Sequence, residues 1–110
     1  MKLLTIFAND NIVYEHDRDK VLDERQIAFL DKMDGDMDRG IKIQGELITH
    51  PDTKQRATFV AMNLLKALKQ ENNAIIAASC TYLAQRLPAL IEVRAKDQGD
   101  GLTIELVEEH

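Results

Sequence analysis

Tryptophan is missing from this chain, and three Phe and two Tyr bring the aromatic share to only 5%. A folded core must therefore be aliphatic, built from Leu, Ile, Val, Ala and Met. Cysteine occurs once, at Cys80, so no internal disulfide can form and a reducing compartment is favoured. Long apolar runs are also lacking. The opening MKLLTIFA stops at Asn9-Asp10 and carries no small-residue cleavage pattern, which argues against a signal peptide. No stretch approaches the roughly 20 apolar residues that a membrane helix requires. A soluble, cytoplasmic protein with no membrane partner is expected.

Positive charge is scarce as well. Fourteen Lys and Arg face nineteen Asp and Glu, for a net charge of -5, and the imbalance is local. Residues 9–40 hold ten acids against five bases, whereas residues 41–110 are nearly neutral at nine against eight. An acidic first third repels phosphate backbones and argues against nucleic acid as a partner. Such a surface also serves solubility alone. The length of 110 residues suits a single globular domain over 1–110.

The chain then reads as follows. Lys2–Phe7 is a short β-favouring run, Asn9-Asp10-Asn11 is turn chemistry, and Ile12-Val13-Tyr14 is β-rich again. This predicts a hairpin, or one strand followed by an extended segment. Asp17–Arg39 predicts a helix capped by Asp17 or Asp19, with Leu22, Ile27, Leu30, Met33 and Met37 on one stripe. Gly35 weakens its last turns, so an end near Met33 is the alternative to a stop at Gly40. Residues 41–48 predict a connector with some extended character, interrupted at Gly45.

The centre of the chain is clearer. Thr49 and Asp52 form a capping-box variant with Pro51 in the first turn, opening a helix that ends at Glu71-Asn72-Asn73. Asn73 is positioned to cap the next helix, Ala74–Arg86, whose residues AIIAASCTYLAQR are apolar on nearly every side. Such a helix must be covered on several flanks, and Pro88 ends it. Two alternating runs, Ile91–Lys96 and Leu102–Leu106, enclose the turn cluster Asp97–Gly101 and predict a C-terminal hairpin. The expected fold is α+β, with three helices on one face of a small, mainly antiparallel sheet that includes this hairpin.

Candidate chemistry is sparse. Asp34, Asp36 and Asp38 alternate after a helix, as the first oxygen ligands of a calcium loop of the EF-hand type do. The sixth position of such a loop is Arg39 instead of Gly, and the twelfth is Gly45 instead of Glu, so affinity should be small. The helix–elbow–helix would present Ala74-Ile75-Ile76-Ala77 to DNA, which lacks the polar side chains a recognition helix needs. Cys80 lies in the apolar helix, where an inert buried thiol is the expectation. His16, His50 and His110 show no metal-ligand spacing. We therefore assign no catalytic, cofactor-binding or metal residue. The favoured role is a non-catalytic interaction or regulatory domain with a protein partner or a second copy as ligand, Met33, Met37 and Met62 being adaptable contact residues. Homodimer and monomer stand as equal alternatives. The competing reading is a small metal-binding protein or enzyme that uses Asp34–Asp38 and the histidines.

Overall fold

In a computed structural model, which describes residues 3–19, 21–97, 99 and 101–109, the N-terminal run forms a hairpin. Strands β1 (Leu3–Ala8) and β2 (Asn11–Asp17) pair antiparallel. The two residues between them, Asn9 and Asp10, both adopt positive φ, the geometry that matches a tight turn to the twist of its strands. The β2 strand continues to Asp17, so the predicted helix start at Asp17 or Asp19 is incorrect. Helix α1 is Glu24–Met37, with Asp23 as its cap. The Asp23 carboxylate accepts from the Gln26 amide at 2.9 Å, and the Gln26 side chain accepts from the Asp23 amide at 3.0 Å. That reciprocal pair satisfies two donors at once, which neither Asp17 nor Asp19 has the following residues to do. Despite Gly35, the helix continues past Met33 to Met37.

Residues 41–48 are better ordered than a connector. They form a second, smaller hairpin, β3 (Ile41–Ile43) and β4 (Glu46–Ile48). Gly45, which appears to interrupt the alternation, makes the turn: Gln44 and Gly45 have φ of 51° and 83°. Helix α2 spans Thr53–Lys69 and again opens on a capping box, formed by Asp52 and Gln55 instead of Thr49 and Asp52. Pro51 is thus outside the helix, immediately before the cap. The elbow to α3 (Asn73–Arg86) has the two bonds of a Schellman stop, Asn72 N–H to Ala67 O at 2.9 Å and Glu71 N–H to Leu68 O at 3.3 Å. Asn72, not Asn73, caps α3, its side chain accepting from the Ile75 amide.

The last two strands, β5 (Leu90–Asp97) and β6 (Leu102–Glu108), form the predicted hairpin, although part of its turn cluster, at 98 and 100, lies outside the described residues. The sheet order is β2-β1-β5-β6, and the central pair β1/β5 is parallel while the outer pairs are antiparallel. Leu4, Ile6, Val93 and Ala95 are buried on the helix-covered face. Phe7 and Arg94, which are paired in register, lie on the other face, with the guanidinium 4.2 Å from the ring centre. The core joins those sheet residues to Val60, Leu64, Cys80, Tyr82 and Leu83 of α2 and α3, and to Leu30 and Met37 of α1. It is aliphatic apart from Tyr82, as the composition requires.

One cation fixes the exit from α3. Arg18, just past β2, donates to the carbonyls of Ala84 (3.3 Å), Leu87 (3.3 Å), Pro88 (2.6 Å) and Leu90. These carbonyls include orphan acceptors at the helix C-terminus, where a positive charge is also favoured by the helix dipole. No helix among the described residues is long and apolar enough to cross a membrane.

Candidate functional site

The three helices do not close completely over one another. Between them lies a groove of about 360 Å3 with a predominantly apolar lining. Its α1 wall is a row at helical spacing, Phe29, Met33 and Asp36; α2 contributes Phe59, Asn63 and Lys66; α3 contributes Ala74, Ile75 and Ala78. Ala74 and Ala78 are small, so the α3 wall is shallow and the groove stays open above it. Phe29 and Ile75 remain 47% and 43% exposed, although both are large and apolar. Helix α3 is therefore covered on all sides but one, and Ile75 stands on the uncovered flank. Ile76 and Leu83, by contrast, are buried.

Two charged side chains line the groove, Asp36 on α1 and Lys66 on α2. Asp36 stands in the same stretch of α1 as Asp34 and Asp38, both of which bind Arg56 near the start of α2. Lys66 stands ten residues further along α2, about 15 Å by helical rise. Neither Asp36 nor Lys66 has an ion pair among the described residues.

The neighbouring Asp34 is the centre of the main polar network of the molecule. Asp34 accepts from the Tyr82 hydroxyl, from Arg86 Nε at 3.0 Å and from Arg56 Nη1 at 3.2 Å. Arg86 also reaches Asp31 at 2.9 Å, and Arg56 reaches Asp38 and the carbonyls of Pro51 and Asp34. Burial alone would push the Asp34 carboxyl up. The Tyr82 hydroxyl, the Arg86 charge and the Arg56 bond outweigh that effect and hold it below its ordinary value. The Tyr82 phenol is pushed well up, first by burial and then by the Asp34 anion beside it. Arg56 is raised, chiefly by Asp38, against a smaller opposing effect of burial. This network ties α1 to both other helices.

The residues singled out from the sequence are thus dispersed. Asp34 and Asp38 have arginine partners, and only Asp36 of that segment faces the groove. His16 lies in β2 opposite the fully buried Leu4 and is half-buried. His50 precedes Pro51 in an exposed position with φ 53°. His110 falls outside the described residues. Among the described residues, no three His, Cys, Asp or Glu side chains group as a metal site requires. The Cys80 thiol is buried, and that burial pushes its pKa up to about 12, so the nucleophilic thiolate is suppressed. Of the three methionines expected at a contact surface, Met33 and Met37 both line the groove. Met37 does so from the core, where it is buried, and Met62 lines a separate cavity between α2 and the sheet.

Sequence reasoning missed Phe29 and Ile75. Phe29 lies off the Leu30–Met37 stripe and reads as an incidental exposed residue until its i+4 relation to Met33 is noted. Ile75 is hidden in a helix that is apolar on every flank, where no pattern distinguishes the uncovered side. No protein-family model, curated protein or solved structure matches the chain, so the groove and its rim are what a functional reading rests on.

Proposed function

We propose that this is a non-catalytic interaction domain of the cytoplasm, and that the groove between α1, α2 and α3 is its docking surface for another protein. The observation that carries the reading is the pairing of Phe29 and Ile75, two large apolar side chains left about half exposed on opposite walls of one groove. Contiguous apolar surface of this kind, rimmed by charge, is what partner surfaces present. Met33 on the same wall supplies an adaptable contact. The buried, unreactive Cys80 suits a reducing compartment.

The test is a charge placed in the groove. Ile75→Glu should keep the helical circular-dichroism spectrum and lose the protein that the wild-type chain retains from an extract of its source cell. Val21→Glu, at a residue 90% exposed and away from the groove, is the control and should retain it. Equal retention by both variants would refute the groove as the docking surface.

A further inference from the structure

We infer a second binding site, for a fatty carboxylate, in the cavity between α2 and the sheet. This cavity of about 640 Å3 lies at the carboxyl ends of the parallel strands β1 and β5, whose last residues, Ala8 and Asp97, both line it. Its volume is within the range of small-molecule sites, roughly 300–1,000 Å3. The walls are mostly aliphatic, with Met62, Leu65 and Leu68 on α2, and Val13 and Leu102 on the sheet. Val13 owes its place to a bulge. Tyr14 pairs with Ile6 and Ile12 with Phe7, so Val13 has no residue opposite it, and it stays 43% exposed. Such a bulge re-aims a side chain out of the alternation of its strand. No aromatic residue among the described ones lines the cavity, so a nucleobase or other flat ring would find nothing to stack on. An aliphatic tail needs only apolar wall.

The polar part of the lining names the head group. Lys66 and Lys69 stand in the last turn of α2, both exposed and neither in an ion pair among the described residues. Asn9 adds an amide whose Oδ1 is already taken by the Asp97 N–H at 3.0 Å, which leaves its Nδ2 donors. Asp97 is the one carboxylate among these residues, and its Oδ1 accepts from the Gly99 amide at 3.1 Å. Two lysines against one aspartate leave a single positive charge in excess, on a chain whose net charge is -5. A monoanion matches that excess, whereas a cationic head would be repelled and a dianion left half compensated. Lysine stems lie along apolar surface while their ammonium groups stay in water, so the two reach a carboxylate at the mouth as the tail enters.

The experiment is isothermal titration calorimetry of the full chain at pH 8 with decanoate below its micelle concentration. Wild type should bind one equivalent saturably, and octanoate, two methylenes shorter, should bind roughly tenfold more weakly. Decyltrimethylammonium, with the same tail and the opposite charge, should bind at least tenfold more weakly than decanoate, and decyl phosphate no more tightly. Replacing both lysines, Lys66→Gln with Lys69→Gln, should weaken decanoate roughly threefold or more. Lys32→Gln, on the exposed face of α1, and Ile75→Glu, in the groove, should each stay within twofold of wild type. An unchanged circular-dichroism spectrum shows that each variant folds. No saturable binding by wild type would overturn the proposal, as would equal affinity for the ammonium amphiphile or a double lysine variant that binds like wild type. Loss of decanoate by Ile75→Glu would also overturn it, since the ligand would then sit in the groove. None of these results bears on retention of a protein by the groove, which the extract experiment decides separately.

Discussion

Replacing Asp34 with Ala should be among the most damaging changes available outside the aliphatic core. Asp34 is the point at which α1 meets both other helices, and three donors converge on its carboxylate. The largest consequence falls on Tyr82, whose residue is only 1% exposed. Its hydroxyl would lose its acceptor in a place that water reaches poorly, a cost of about 1–3 kcal/mol. Arg56 and Arg86 are partly exposed, so water takes over most of what they lose, and each adds up to about 1 kcal/mol. The total is about 2–4 kcal/mol, which for a domain of this size lowers the melting midpoint by roughly 10–20 °C. Urea unfolding followed by far-ultraviolet circular dichroism measures it, with Asp36→Ala as the control two residues away; that exposed site should stay within about 0.5 kcal/mol of wild type. Tyr82→Phe removes the donor and should cost about 1 kcal/mol, and the double variant should cost less than the two single changes combined. Acid gives a second readout. Because the folded-state pKa of Asp34 lies below its ordinary value of 3.8, its contribution is complete above that value and is lost as pH falls through the folded pKa. The gap between wild type and Asp34→Ala should therefore hold down to about pH 4 and narrow as the pH falls further. An Asp34→Ala variant no less stable than Asp36→Ala at neutral pH would refute the network as a stabilising tie.

Other perturbations isolate single features. Arg18→Met keeps the aliphatic stem but removes the donors to the carbonyls that end α3, and should cost about 1.5–3 kcal/mol in urea unfolding; Arg18→Lys should recover only part of this, since one ammonium cannot reproduce the guanidinium fork. The two glycines that flank the end of α1 should respond in opposite directions. At Gly35 an added Cβ meets nothing within 4 Å and the backbone is helical, so Gly35→Ala should stabilise by about 0.5–1 kcal/mol. At Gly40, with φ +113°, Gly40→Ala should destabilise by about 1–3 kcal/mol, and a melting-temperature comparison reads both signs. Cys80 should react with a thiol reagent at pH 8 only as fast as the chain unfolds, its pKa being pushed up to about 12 by burial; rapid labelling of native protein would contradict that burial.

How much of this was legible beforehand depended on whether the deciding physics was local. The turn at Asn9-Asp10, the stop at Pro88 and the alternation of Ile91–Lys96 depend on near neighbours, and the sequence places strands and helices there or close by, whereas the hairpin at 41–48 reads only as a connector broken at Gly45. Boundaries failed where a better local option lay a few residues on. Asp17 and Asp19 have the right side chains for a cap, but Asp23 has Gln26 behind it. Asp52 and Gln55 surpass Thr49 for the same reason. What could not be read was set by partners distant in the chain. Nothing around Arg18 signals that its guanidinium ends α3, and nothing around Leu3–Ala8 signals a parallel partner in β5. The Asp34 segment looked like a cation loop because its aspartates were visible and the arginines that claim two of them, Arg56 and Arg86, lie 22 and 52 residues away. The groove was legible only as a suspicion that α3 has too much apolar surface for its neighbours to cover.

The placement of β1 between β2 and β5 has a bearing on synthesis. Thr5–Ala8 align with Glu92–Ala95, so an interior strand of the sheet has one side open until β5, far later in the chain, has left the ribosome. Through that interval Leu4 and Ile6 have only the β2 hairpin beside them, and an isolated hairpin is marginal in water. Closure over so long a loop is slow compared with pairing of neighbours. Nascent chains halted with Glu92–Ala95 still inside the ribosome should therefore be bound by chaperones that recognise exposed strands, and chains in which β5 has emerged and paired should escape them.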